Sequence, residues 1–311
     1  MKVALIQTTP ELLDRNATTR KLIGKIDRAI DQGATLIVTP EAILPGYPFW
    51  LDPTGGAKFN DEIQKQLFER YASAAVIIER GDLEPFCERT RHNDVSIYLG
   101  IIERPGDRGG HSLYCSLVYI AEGKIQNVHR KLQPTYEERL VWSPGDGHGL
   151  RTFQKGEFTL GGLNCWENWM PLPRAALYGQ GENVHVAVWP GNVRNTDLLT
   201  RFLAREGRSY VLSCCGLFHR QDFPTYIFPD EIFEDATPDC FADGGSCIAA
   251  PDGSWVVPPV AHEDMIVYAD LDVGKILQER QNFDPAGHYS RPDVTRLTVN
   301  RERQSTVDFR E

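Results

Sequence analysis

The sequence predicts an α/β fold of mixed sheets covered by helices, and three observations carry that expectation. Short runs rich in β-branched residues recur along the chain, as at residues 3–7, 35–39 and 184–189. Between them lie longer stretches with apolar residues on one helical face, such as Leu22, Ile23, Ile26 and Ile30. The runs at 118–121 and 125–128 are joined by the tight turn Glu122-Gly123-Lys124, so antiparallel hairpins accompany the strand–helix units.

In order, the chain is expected to open with a strand at 3–7, a helix over 16–32 and a strand over 36–39. Helices over 61–75 and 84–93 follow, then a strand at 96–103 and the hairpin strands 113–121 and 124–129. The second half repeats the pattern. It runs through a strand at 158–163, a helix near 174–179, a strand at 184–189, a helix over 197–207 and a strand at 210–215. Strands at 246–250, 255–257 and 265–271 close it. No Gly/Ser linker or composition break interrupts this series, so one domain over 1–311 is expected, with a short polar tail from about residue 294.

With 311 residues, 41% of them hydrophobic and 24% charged, the chain has the composition of a soluble globular protein with a sizeable core. A formal net charge of −10 argues against nucleic-acid binding, which needs a basic face. The first residues enter a strand at once, so no leader is expected, and no apolar run is long enough to span a bilayer. Cysteines 87, 115, 165, 214, 215, 240 and 247 are odd in number and form no CxxC pair, which fits reduced thiols in a cytoplasmic compartment. Cys214 and Cys215 read as strand packing rather than a redox pair. The histidines show no HExxH or paired ligand spacing, so neither metal nor cofactor is expected; His185 reads as one face of a strand.

One cysteine stands apart. Residues 158–163 form a strand interrupted by Gly161 and Gly162; Cys165 follows directly, and Pro171 and Pro173 force a turn ahead of a helix. A thiol where a strand hands over to a helix can be exposed with backbone N–H groups aimed at what it attacks. A nucleophilic thiol also needs a base or a cation. Glu41, at the carboxyl end of the 36–39 strand, and Lys131, just past the 124–129 strand, are of those types. Carboxyl ends of strands gather along one edge of a layered α/β fold, where ligands bind.

The segments Thr39-Pro40-Glu41, His129-Arg130-Lys131 through Glu138-Arg139, and Asn164-Cys165-Trp166-Glu167-Asn168 resemble the nitrilase superfamily, in particular its true nitrilase branch. Gly145-Asp146-Gly147, residues 184–191 and residues 287–293 extend the likeness over nearly the whole chain. The resemblance implies an α-β-β-α sandwich, two mixed sheets face to face, built up through dimers or larger homo-oligomers. It implies that Cys165 is the nucleophile, Glu41 the general base, Lys131 the cation that steadies developing charge, and Glu138 the carboxylate that holds Lys131. Glu137 is the neighbouring alternative. The substrate implied is a small organic nitrile, hydrolysed with water to acid and ammonia through thioimidate and thioester adducts. Trp166, Tyr47, Trp142 and Trp189 are the expected apolar contacts for it. An amidase or N-carbamoyl hydrolase with the same chemistry, and a silent oligomeric scaffold, are the alternatives.

Overall fold

The chain begins as β1 (Lys2–Gln7), in which Val3 and Leu5 enter one apolar layer while Ala4 and Ile6 enter another. The two-residue period of a strand sends alternate side chains to opposite faces, so a strand apolar on both faces must be covered on both. A computed structural model describes residues 1–233, 237–307 and 310; Asp308, Phe309 and Glu311 of the expected tail lie outside the described residues. After β1 come α1 (Arg15–Asp31), β2 (Leu36–Val38), α2 (Glu62–Ala74), α3 (Glu84–His92), β3 (Ser96–Glu103), β4 (Tyr114–Ala121) and β5 (Lys124–Arg130). The second half contains β6 (Phe153–Lys155), β7 (Phe158–Asn164), α4 (Pro171–Tyr178), β8 (Val184–Trp189), α5 (Val193–Gly207), β9 (Tyr210–Cys215) and β10 (Leu217–His219). It ends with β11 (Cys240–Ala249), β12 (Trp255–Ala261), β13 (Met265–Asp270) and α6 (Val273–Asn282).

The strands form a six-stranded sheet, in the order β13-β1-β2-β3-β4-β5, and a seven-stranded one, β10-β11-β9-β8-β7-β6 with β12 beside β11. Each is built on three parallel strands, β1-β2-β3 and β7-β8-β9, flanked by antiparallel ones. Val3, Leu5, Val38 and Leu117 of the first sheet share a dry layer with Leu160, Val186, Leu212 and Ile248 of the second. Burying each such side chain contributes roughly 1.5–3 kcal/mol. Ala4, Ile6 and Ile37 on the outer face of the first sheet pack on Leu22 and Ile26 of α1 and Phe86 of α3. Ala187, Val211 and Ala249 on the outer face of the second pack on Leu199 and Leu203 of α5. This is the α-β-β-α sandwich.

Several boundaries differ from the expected ones for identifiable reasons. α4 begins at Pro171 rather than after it, because proline fits the first helical turn, where its missing N–H has no intrahelical partner. α5 starts four residues early, at Val193, whose N–H is accepted by Asp243 Oδ1 of β11 at 3.0 Å; the cap comes from a distant strand. β12 runs through Pro258 and Pro259, which an edge strand tolerates. The stretch past residue 294 is docked. Arg303 donates to Asp146 Oδ1 (2.9 Å) and to the Val128 carbonyl (3.0 Å), and Arg108 donates to the Gln304 carbonyl (2.8 Å).

Candidate active site

Glu41 leaves the end of β2 on a loop pressed against β3. A Cβ placed on Gly100 would lie 2.0 Å from the Pro40 carbonyl, so only glycine lets that loop approach. The Glu41 N–H donates to the Trp189 carbonyl at the end of β8, 3.3 Å away, which ties the carboxyl ends of both parallel triplets together. Lys131 directly follows β5 and is held through its backbone, donating to the Cys115 carbonyl (2.8 Å) and accepting from Gly145 (2.7 Å).

Its ammonium is fully buried and donates to Glu41 Oε1 (2.9 Å) and Glu138 Oε2 (2.7 Å). The second carboxylate is therefore that of Glu138; Glu137 is half-exposed. Glu138 is fixed from three sides, because it also accepts from the Thr135 N–H (2.6 Å) and the Tyr47 hydroxyl (2.8 Å). Cys165 Sγ and one carboxylate oxygen each from Glu41 and Glu138 lie within 4.8 Å of one another. A base, a cation and a thiol thus share one buried cluster.

Cys165 occupies the first position after β7 with φ 44°, a left-handed conformation that is costly for a side-chain-bearing residue. The surrounding turn over-determines it. Glu167 accepts from the Asn164 N–H (2.9 Å), from the Leu132 N–H just past Lys131 (2.6 Å) and contacts His129 Nε2 (3.1 Å). One carboxylate so stitches the thiol's turn to the lysine's loop. From the other side, the Asn168 amide donates to the Cys165 carbonyl (2.8 Å). Its oxygen meets His185 Nε2 (2.7 Å), and His185 Nδ1 meets Glu182 Oε1 (2.9 Å).

Charge balance sets the resting state. Burial raises the Cys165 thiol well above its ordinary range and the Glu41 carboxylate raises it further, with Lys131 opposing both, so the thiol is protonated at rest. Burial pushes Glu41 up to about 7 against the pull of Lys131. Burial would lower Lys131, yet the carboxylates beside it hold it well above its usual value, as an ammonium. Glu167 goes the other way: burial would raise it, but His129 and the backbone donors keep it below the usual carboxylate range. Glu41 Oε2 has no hydrogen-bond partner among the described residues, which leaves one carboxylate oxygen available as a proton acceptor.

Cys165 and Glu138 open into a cavity of about 550 Å³ whose walls include Tyr47, Phe49, Trp166, Arg194 and Phe241. Trp166 is half-exposed. Trp142 and Trp189 do not line it. Trp142 lies beneath the ammonium of Lys131, 5.5 Å from ring centre to Nζ, with its N–H on the Tyr71 hydroxyl. Trp189 packs between β8 and α5, in one apolar cluster with Leu199, Leu203 and Cys165, and its carbonyl accepts from the Glu41 N–H. Neither is the pocket contact expected of it: Trp142, bridged to Leu113, is buried under Lys131, and Trp189, on β8, faces α5. Gly161 clears room for Glu182, whose Oε1 would lie 2.0 Å from a Cβ placed there. A depression of about 690 Å³ on the outer face of α5, around Leu198 and Phe202, is lined by no cysteine, serine, threonine or lysine.

Glu167, His129, Asn168, His185 and Glu182 were missed as site residues. A histidine inside the apolar strand 184–188, with a glutamate three residues before it, was the one available signal. For Glu167→Gln we expect a loss of about 1–3 kcal/mol in stability, because the amide offers a donor where backbone donors need an acceptor. A displaced Cys165 should also lower kcat at least about tenfold. Thermal unfolding and steady-state rates check both.

The Carbon-nitrogen hydrolase family model matches residues 2–281. The chain is 36% identical over 312 residues to a protein named Nitrilase 2 from an unknown prokaryotic organism, covering 99% of this chain and 95% of that one. It is 35% identical to the aliphatic nitrilase of Sinorhizobium fredii, over 98% of this chain and 97% of the relative. It is 32% identical to a bifunctional nitrilase/nitrile hydratase of Lupinus angustifolius, over 99% and 88%. Among solved structures, Nit3 of Saccharomyces cerevisiae, a nitrilase-superfamily member, superposes with a TM-score of 0.72 at 19% identity, over 93% of this chain and 96% of that one.

Proposed function

The chain belongs to the carbon–nitrogen hydrolase family as a nitrilase-type enzyme, and from that premise we propose that it converts an organic nitrile to its carboxylic acid and ammonia through a covalent adduct on Cys165. The observation that carries this reading is the buried contact of Lys131 with both Glu41 and Glu138, with the Cys165 sulfur beside those carboxylates. Sγ attacks the nitrile carbon as the thiol proton passes to Glu41, and one C–N π bond becomes the C–S bond. Negative charge gathers on nitrogen, where Lys131 and the Trp166 N–H are placed to oppose it; the proton then moves to nitrogen and leaves a thioimidate. Glu41 next takes a proton from water as that water adds to the same carbon. The C–N bond breaks, ammonia leaves, and a thioester remains. A second water cleaves the C–S bond, releasing the acid and restoring the thiol.

The test is product analysis on a panel of aliphatic, aromatic and arylacetonitriles with the matching amides and carbamoyl compounds. Acid and ammonia from nitriles support the proposal. Turnover of amides or carbamoyl compounds alone moves the chain to the amidase side, and amide as the sole nitrile product means the adduct collapses as in a hydratase.

Because Glu41 acts as a base, kcat/KM is expected to fall about tenfold per pH unit below about 7, as its carboxylate takes up a proton. The same raised pKa means that the stability contributed at Glu41 is complete below the ordinary carboxylate range and is lost as pH rises through about 7. A rate profile from pH 5 to 9 checks the first, and a profile flat down to pH 5 removes Glu41 as the base.

We also propose self-association, at least to a dimer. Leu198 and Phe202 stand exposed one turn apart on α5, and Arg174 of α4 is paired to Glu206 of α5, which places exposed Leu172 on the neighbouring helix. Leu198→Glu with Phe202→Glu should lower the mass seen by light scattering; an unchanged mass excludes this face. Among the described residues no helix is long and apolar enough to cross a membrane. A cytoplasmic location stays part of the proposal.

A further inference from the structure

Outside the catalytic cluster, three side chains with ligand chemistry converge at the rim of the second sheet. His219 ends β10 and pairs with Cys240 at the start of β11 across a bulge that leaves Phe241 unpaired. His262 follows β12, its N–H donating to the Asp243 carbonyl (2.6 Å), three residues along β11 from Cys240. Cys240 Sγ and one ring nitrogen from each histidine lie within 4.8 Å of one another. Behind His219, Asp222 accepts its backbone N–H (2.7 Å) and places a carboxylate oxygen 3.7 Å from Nδ1, so the ring has an acidic neighbour of the kind that orients ligand histidines. Arg220 is drawn away, toward Asp230 (3.5 Å) and over the Phe233 ring (5.2 Å).

We propose that His219, Cys240 and His262 form a binding site for a thiophilic divalent cation, zinc in first place. One thiolate and two imidazoles suit that ion, and three protein donors leave a fourth position to water. Around a tetrahedral zinc the donors sit roughly 3.3–3.6 Å apart, given bond lengths of about 2.0–2.3 Å. Cys240 and His262 are exposed and His219 is half-exposed, so small side-chain rotations close the difference. Binding displaces the Cys240 thiol proton to solvent. A second group of candidate ligands among the described residues, Glu41, Glu138 and Cys165, already has the Lys131 ammonium on its two carboxylates, and that charge repels a metal cation. No sequence motif announces the rim site, because its donors are more than twenty residues apart and meet only through the register of β10, β11 and β12.

Cys240 and its neighbour Phe241 also line the catalytic cavity, so an ion held there narrows the entrance. That consequence rests on the function proposed above; the site itself does not. The experiment titrates Co²⁺ alone, then Zn²⁺, into the full-length Cys165→Ala chain, where the catalytic thiol cannot contribute. Expected are one equivalent of Co²⁺, a thiolate-to-cobalt absorption band, and its loss on adding one equivalent of Zn²⁺. The band should vanish in a Cys240→Ser background, and His262→Ala should weaken binding at least about tenfold. Circular dichroism checks that these surface variants fold. No bound Co²⁺, or a band that survives Cys240→Ser, overturns the site. On the chain with Cys165 intact, Zn²⁺ should slow nitrile turnover at concentrations that leave the Cys240→Ser rate unmoved. Equal inhibition of both overturns the link to the cavity.

Discussion

Cys165→Ala is expected to lower turnover of every nitrile by about 10⁵-fold or more, with the fold retained. The substitution removes one sulfur from a 4% exposed position and leaves the backbone unchanged. The left-handed φ of residue 165 burdens alanine about as much as cysteine, so the stability change should stay near 1 kcal/mol. The hydrogen bond that Glu167 accepts from the Asn164 N–H and the one that Asn168 donates to the Cys165 carbonyl persist, because both involve backbone atoms of the turn rather than the thiol. Steady-state assays with thermal unfolding on the same preparation check this. Retained turnover would end the covalent account.

Lys131→Arg is expected to lose at least about 10³-fold in kcat, in spite of the conserved charge. The ammonium sits with no exposed surface between Glu41 and Glu138, with the Trp142 ring on another side. A planar guanidinium cannot satisfy both carboxylates from that point without displacing one, and Glu41 is the group whose position matters most. Lys131→Met should be worse for folding, at about 3–5 kcal/mol, since it strands two buried carboxylates without their counter-charge. Rates and melting curves for both variants check these effects; a near-normal rate in Lys131→Arg would remove the ammonium from the chemistry.

The site was legible where chemistry follows chain position. Glu41, Lys131 and Cys165 each stand just past a strand, and carboxyl ends of parallel strands share an edge, so residue type and strand position were enough to bring them together on paper. Glu138 could be named only through the family resemblance, because its approach to Lys131 depends on the turn begun by Thr135. The residues that support the thiol were not legible. His129 and Glu167 are thirty-eight positions apart and meet only because β5 and β7 end at facing edges of two sheets. The face-to-face sheets themselves followed from the resemblance: Val3, Ala4, Leu5 and Ile6 say that both faces of β1 are covered, but not by what. α6 went unnoticed because its apolar stripe, Val273, Ile276 and Leu277, spans little more than one turn, and of the three only Ile276 is buried. β6 and β10, at three residues each, are too short to show a period.

The most direct test of the central claim is peptide mapping by mass spectrometry after acid quenching during turnover of a nitrile, with Cys165→Ala alongside. The account predicts one added nitrile-derived group, carried by the peptide containing Cys165 and absent from Cys165→Ala. An adduct on Cys115 or any other thiol, with Cys165 unmodified while acid and ammonia accumulate, would contradict it.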